Sequence, residues 1–215
     1  MLLPYAVSWG IEQMKNYPEY GVIYGDSYII DENNQIIDIN KSKEFDFERL
    51  LCVELVPPAQ AAFIRRSALE EVGFWADATL DTCPDYEMWV RITQKFPMKH
   101  VFGVITKYRH HDEPQMDSGK KRTTQRFVDA KREVMDRLFN DPKTPQSIKK
   151  LKHRAYASLD LWASQTAYDL GQPKQAFFYL LRSFLLLPSQ GKLLKIFKEL
   201  KSFSRYRLSL LWKNI

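Results

Sequence analysis

Residue types able to do chemistry gather in one stretch, Pro57 to Arg91. It holds Gln60, the pair Arg65-Arg66, the run Gly73-Phe74-Trp75, and then Asp85-Tyr86-Glu87-Met88-Trp89-Val90-Arg91. A carboxylate within hydrogen-bond reach of a hydroxyl can take its proton as a new bond forms. Aromatic rings such as Trp75 and Trp89 can stack on a flat ligand or fill a core. Asp85 also has a plainer reading, because an acid in the first turn of a helix is favoured by the helix dipole. Trp89 likewise falls in the apolar stripe of its helix, where packing is its ordinary use.

Other chemistries are excluded early. Two cysteines, Cys52 and Cys83, cannot build a disulfide framework or a four-ligand zinc site, and they read as reduced thiols. The chain is 45% hydrophobic and 27% charged over 215 residues, so it can bury a core. Its apolar runs, such as Phe184 to Leu187 ended by Pro188, are far too short to cross a membrane. The first residues lack a basic region followed by a long apolar stretch, so no signal peptide is read there and a cytoplasmic protein is expected.

The elements that would position these residues follow from periodicity and punctuation. Val7, Ile11 and Met14 recur on one face of a first helix, closed by Pro18 and Gly21. Val22-Ile23-Tyr24 reads as a short strand ending at Gly25-Asp26. Tyr28 to Ile30 and Ile36 to Ile39 then flank a polar turn as a hairpin. Phe45 to Leu51 suggests a short helix, and Ala59 to Ile64 a buried strand beyond Pro57-Pro58. Ser67-Ala68-Leu69-Glu70 has the form of a capping box, with Gly73 as the stop. A helix starts near Asp85, and a strand runs from His100 to Tyr108. From Arg122 onward the pattern is helical throughout, broken at Asp141-Pro142, Gly171-Gln172-Pro173 and Pro188. The reading is therefore a mixed α/β part over residues 1–120, followed by an all-α part over residues 121–215.

The string from Pro57 to Ile92, "PPAQAAFIRRSALEEVGFW…PDYEMWVRI", resembles the C-terminal half of the catalytic domain of family 2 glycosyltransferases. Three further segments fit in the same order. Leu2-Leu3-Pro4 resembles the start of the helix after the family's metal-binding aspartates, and Gly21 to Asp26 resembles the next strand. Tyr108-Arg109-His110-His111 with Gln115-Met116-Asp117-Ser118 resembles the closing segment. The resemblance covers residues 1–118.

It implies a GT-A-like mixed sheet and an inverting transfer of sugar from a nucleotide-sugar donor to a hydroxyl of a glycan or lipid-linked acceptor. Asp85 matches the general base. Gln60, Trp75, Tyr86 and Arg109 match acceptor or substrate contacts, and His111 matches a residue near the diphosphate or metal. A divalent metal, Mg or Mn, is implied for the complete enzyme, because the leaving diphosphate needs a cation. The first strand, the nucleotide-contacting loops and the D-x-D motif of the family have no counterpart here. Asp26 lies one helix and one strand too late for that motif, and Tyr28 stands where a second acid is needed. The expectation is a truncated or misassigned chain that binds nucleotide sugar and metal weakly and leaves a sheet edge exposed.

Residues 157–190 resemble one tetratricopeptide unit, with Gly171 at the turn and Ala176 at the close approach; a plain helical hairpin reads equally from the same residues. Beyond it, Gly191 to Ile215 carries seven Lys or Arg against Glu199, which equals the whole net charge of +6. With Leu193, Leu194, Phe197 and Leu200 opposite the lysines, this segment reads as a basic amphipathic helix suited to an anionic membrane face. The rest of the chain is charge-balanced and has no nucleic-acid reading motif, so nucleic-acid binding is not expected. The alternative to catalysis is a non-catalytic helical interaction module, or an inactive remnant of a transferase.

Overall fold

The computed structural model describes residues 1–74, 80, 82–109, 124–189 and 191. The chain divides into two compact units, Met1–Val134 and Met135–Ile215.

The first unit is built around one strand. β1 (Val22–Ile30) is apolar at Val22, Ile23 and Tyr24, and all three are fully buried. One of its edges is lined by β4 (Met98–Arg109), which runs parallel to it. The other edge is shared. β3 (Ala62–Ile64) pairs antiparallel with Val22 to Tyr24, and β2 (Ile36–Asn40) pairs antiparallel with Ser27 to Ile30. The result is a mixed sheet of four strands, consistent with an α/β fold.

β1 continues through Gly25-Asp26, where the sequence suggests an end. Two long-range contacts explain the difference. Asp26 is buried, yet its Oδ1 accepts from the amide of Ser42 at 2.8 Å and meets His100 Nε2 at 2.9 Å. A satisfied carboxylate does not have to terminate a strand. β4 bulges where it passes this point, since Tyr24 faces His100 while Asp26 faces Val104. The bulge turns Phe102 outward, 85% exposed. Gly25 permits it, because a Cβ there would lie 2.6 Å from the Gly103 carbonyl oxygen.

Residues Met1 to Leu3 extend along the outer edge of β4. Leu2 bridges Thr106, and the Leu3 amide donates to the Ile105 carbonyl at 2.9 Å. α1 (Ala6–Asn16) follows and packs Ala6 and Trp9 into a cluster with Ala61, Phe63 and Ile105. Its buried side is Ala6 and Gly10. Val7 and Ile11, which share the apolar face read from the spacing, are both 53% exposed.

Three short helices complete this unit's described elements ahead of β4. α2 (Phe47–Leu51) is capped by Asp46, whose Oδ1 accepts from the Arg49 amide at 2.7 Å. Residues Ala59–Ala61 form a 3-10 turn rather than strand, and β3 starts after it. α3 (Arg66–Val72) has Arg65 as its N-cap, with no side-chain cap. The capping box read at Ser67 is therefore absent. Ser67 lies inside the first turn, and Glu70 pairs with Arg66 at 2.9 Å instead. Arg65 reaches away, donating to the carbonyls of Met14 and Tyr20. α4 (Pro84–Thr93) opens with Pro84 in its first turn, where its missing N–H costs nothing.

α5 (Thr124–Asn140) begins in the first unit and ends in the second. The second unit adds α6 (Gln146–Lys149), α7 (Lys152–Asp169) and α8 (Pro173–Leu186). α7 and α8 form a hairpin through Gly171, whose φ of 69° explains the glycine. Ala157, Ala163 and Ala176 are buried, and Ser183 Oγ donates across to the Ala157 carbonyl at 2.6 Å. Small residues let the two backbones approach closely. No helix among the described residues is long and apolar enough to cross a membrane.

Candidate functional site

Asp85 occupies the first turn of α4, half-buried, with Glu87 beside it in the same turn. Its Oδ1 accepts from the Tyr86 amide at 2.9 Å. That bond satisfies one of the orphan donors of the helix start. Its second oxygen takes no hydrogen bond from the described residues. The helix start thus fixes one carboxylate oxygen, and none of the described residues bonds the other, beside the positive end of the helix dipole.

The rest of α4 is anchored at two places, to the Pro57 segment and to the end of α3. Trp89, one turn beyond Asp85, is fully buried and donates its indole N–H to the Pro57 carbonyl at 3.0 Å. Arg91 makes a two-point pair with Glu87, at 2.7 and 3.1 Å. It also donates to the carbonyls of Val72 and Gly73, both at 2.7 Å, which closes the end of α3. Bidentate Arg–carboxylate geometry is the form in which such pairs hold orientation best.

The sequence-derived residues fare differently. Gln60 is exposed in the 3-10 turn, three residues beyond the Pro57 carbonyl that Trp89 holds. The Trp89 contact therefore ties the Gln60 segment to the Asp85 helix. Tyr86 is fully buried, and its ring lies under the Lys131 ammonium at 5.5 Å. What it gives the site is its backbone amide. Arg109 lies at the end of β4 and clamps the β1–β2 turn. Its guanidinium donates to the carbonyls of Asp31 and Glu32 and to Asn34 Oδ1, at 2.7, 2.8 and 2.6 Å. Trp75 and His111 lie outside the described residues, as does the basic segment beyond Gly191.

Lys131 and Cys83 join this neighbourhood unannounced by any motif. Lys131 Nζ donates to Cys83 Sγ at 3.2 Å and also sits over the Phe127 ring at 5.6 Å. The signal was present in the spacing, since Lys131 falls one turn beyond Phe127 on the apolar stripe of α5.

No group of three or more His, Cys, Asp or Glu among the described residues could hold a metal ion. Comparison with protein-family models and with curated proteins finds no match to this chain.

Proposed function

We propose that this chain is the acceptor-side half of an inverting, nucleotide-sugar-dependent glycosyltransferase. The observation that carries the reading is Asp85. Its carboxylate is partly exposed at the start of a helix anchored at two places, with one oxygen fixed and the other bonded to none of the described residues. An acceptor hydroxyl donates to that other oxygen. As its oxygen bonds to the anomeric carbon, the proton passes to Asp85 and the nucleoside diphosphate departs from the opposite face. The transition state is oxocarbenium-like, so the base acts as bond formation to the acceptor proceeds. Gln60, held near α4 through Pro57, is placed on the acceptor side. A GT-A-like sheet, a cytoplasmic location and a lipid-linked or glycan acceptor belong to the same proposal.

The test is transfer from a panel of labelled nucleotide sugars to glycan and lipid-extract acceptors, with a complete transferase that contains this chain and with its Asp85→Asn variant. The substitution keeps the shape and removes the base. A loss of roughly 100- to 10,000-fold with an unchanged circular dichroism spectrum supports the assignment. Full activity in Asp85→Asn rejects it.

A second reading, a helical interaction module, is favoured by one observation. Phe178, Leu181 and Leu185 stand exposed along one face of α8. Single exposed apolar residues are ordinary, but three at helical spacing make a stripe. Absence of transfer from every donor, together with self-association that is lost in Leu185→Lys, would move this reading to the front.

A further inference from the structure

Cys83 and Lys131 meet in a contact that the transfer chemistry does not use. Cys83 is the N-cap of α4, in a left-handed backbone conformation with φ 58°. Lys131 approaches it from α5, 48 residues away in sequence. A lysine ordinarily keeps its ammonium in water and buries its stem. Here the whole residue is 7% exposed, and Nζ lies 3.2 Å from the sulfur, between the faces of Tyr86 and Phe127. Cys83 is half-buried as a residue, whereas Cys52 is 2% exposed. The sulfur of a half-buried cysteine is therefore held against an amine nitrogen by the fold itself.

We propose that Cys83 and Lys131 are a modification site, at which hydrogen peroxide closes a reversible sulfenamide cross-link between Sγ and Nζ. In the first step the sulfur attacks peroxide. The O–O bond breaks, one oxygen stays on sulfur as sulfenic acid, and the other leaves as water. Sulfur is oxidised by two electrons and peroxide is reduced. In the second step Lys131 gives its extra proton to solvent, and Nζ attacks the sulfur. The S–N bond forms, the S–O bond breaks, and a second water leaves. The net change converts thiol, ammonium and peroxide into sulfenamide, two waters and one proton. Sulfenic acids condense in this way with nearby nitrogen or thiol nucleophiles. The preset contact makes the second step intramolecular, with the entropy of approach already lost in folding. A small thiol reverses it by attack on the sulfur, which returns the amine. The link ties the N-cap of α4, two residues before Asp85, to α5. It holds whether or not the transferase reading does, because neither step involves a sugar.

The test uses the full chain, treated with hydrogen peroxide in the absence of thiols and analysed by intact mass and peptide mapping. The expected product has lost two hydrogens, carries the Cys83 and Lys131 peptides joined, and is not cut by trypsin after Lys131. Dithiothreitol restores the starting mass. Cys52→Ser still forms the product. Cys83→Ser, Lys131→Arg and Lys131→Met do not, while keeping the wild-type circular dichroism spectrum. A Cys52–Cys83 disulfide has the same intact mass, so the joined peptides decide. Finding that disulfide overturns the proposal, and so does oxidation of Cys83 that stops at added oxygen. An unchanged mass overturns it equally.

Discussion

Trp89 donates its indole N–H to the carbonyl of Pro57 at 3.0 Å, from one helical turn beyond Asp85. This bond crosses from α4 to the segment that carries Gln60, and both partners are buried. Trp89→Phe keeps an aromatic ring there but removes the donor. The Pro57 carbonyl is then left buried without that bond, which costs about 1–3 kcal/mol. Urea unfolding of Trp89→Phe should show a lower midpoint with an unchanged slope. An unchanged midpoint would mean that the ring alone holds the segment.

Gly10 faces the ring of Phe63 so closely that a Cβ would lie 2.6 Å from its carbons. Ala for Gly inside a helix normally gains about 1 kcal/mol. Overpacking a fixed neighbour costs about 1–3 kcal/mol. Phe63 cannot swing aside freely, because it packs with Trp9, Ala6, Ala61 and Ile105. Steric cost should win, and Gly10→Ala should destabilise by about 1 kcal/mol. Gly10→Ala combined with Phe63→Leu should recover part of that loss in thermal melts. Strict additivity of the two changes would place the ring out of contact.

The same helix shows what periodicity can and cannot reveal. Spacing found α1 and grouped Val7 and Ile11 on one apolar face, yet both are exposed. Hydropathy measures transfer from water. The face that packs is instead the one small enough to let Phe63 approach, Ala6 and Gly10. α4 was legible because its signals agree: Pro84 and two acids in the first turn, then Trp89 and Ile92 in the stripe. Asp26 was misread as a strand end because its partners, Ser42 and His100, are set by the fold and not by local pattern. Of the surroundings of Asp85, the sequence indicated the helix. It did not indicate that Tyr86 points inward or that Lys131 arrives from α5.

Tyr24 carries a pH dependence whose direction is fixed. Burial pushes its phenol well above the ordinary range, and the Glu44 and Asp26 carboxylates add to this while Arg49 opposes it. Its hydroxyl donates to the Lys43 carbonyl at 2.5 Å, so the neutral form is the bonded one. The unfolded chain releases this proton near pH 10, as an ordinary phenol does at about that value. The folded chain holds it to higher pH. The contribution to stability is therefore complete below about pH 10 and falls above it, by up to about 1.4 kcal/mol per pH unit. Tyr24→Phe should remove this part of the slope. Unfolding free energies of both proteins from about pH 8 to about pH 11 test it, and parallel curves would reject it.

Val53 ends α2 in a conformation that suits glycine. Its amide donates to Leu50 at 3.0 Å, and the Glu54 amide donates to Arg49 at 2.9 Å. These two bonds make a Schellman closure, in which the residue after the cap adopts the left-handed region. Val53 has φ 57° there. A β-branched side chain is strained in that region by roughly 1–2 kcal/mol. Glycine removes the strain and loses about 0.5–1 kcal/mol through the greater freedom of the unfolded chain. The half-buried valine methyls offset a little more. Val53→Gly should still gain about 0.5 kcal/mol, visible as a rise of about 1–2 °C in Tm for a chain of this size. Val53→Ala separates the two causes, since it shortens the side chain without freeing the left-handed region. If alanine raises Tm as much as glycine does, β-branching and not the backbone conformation is the source of the strain.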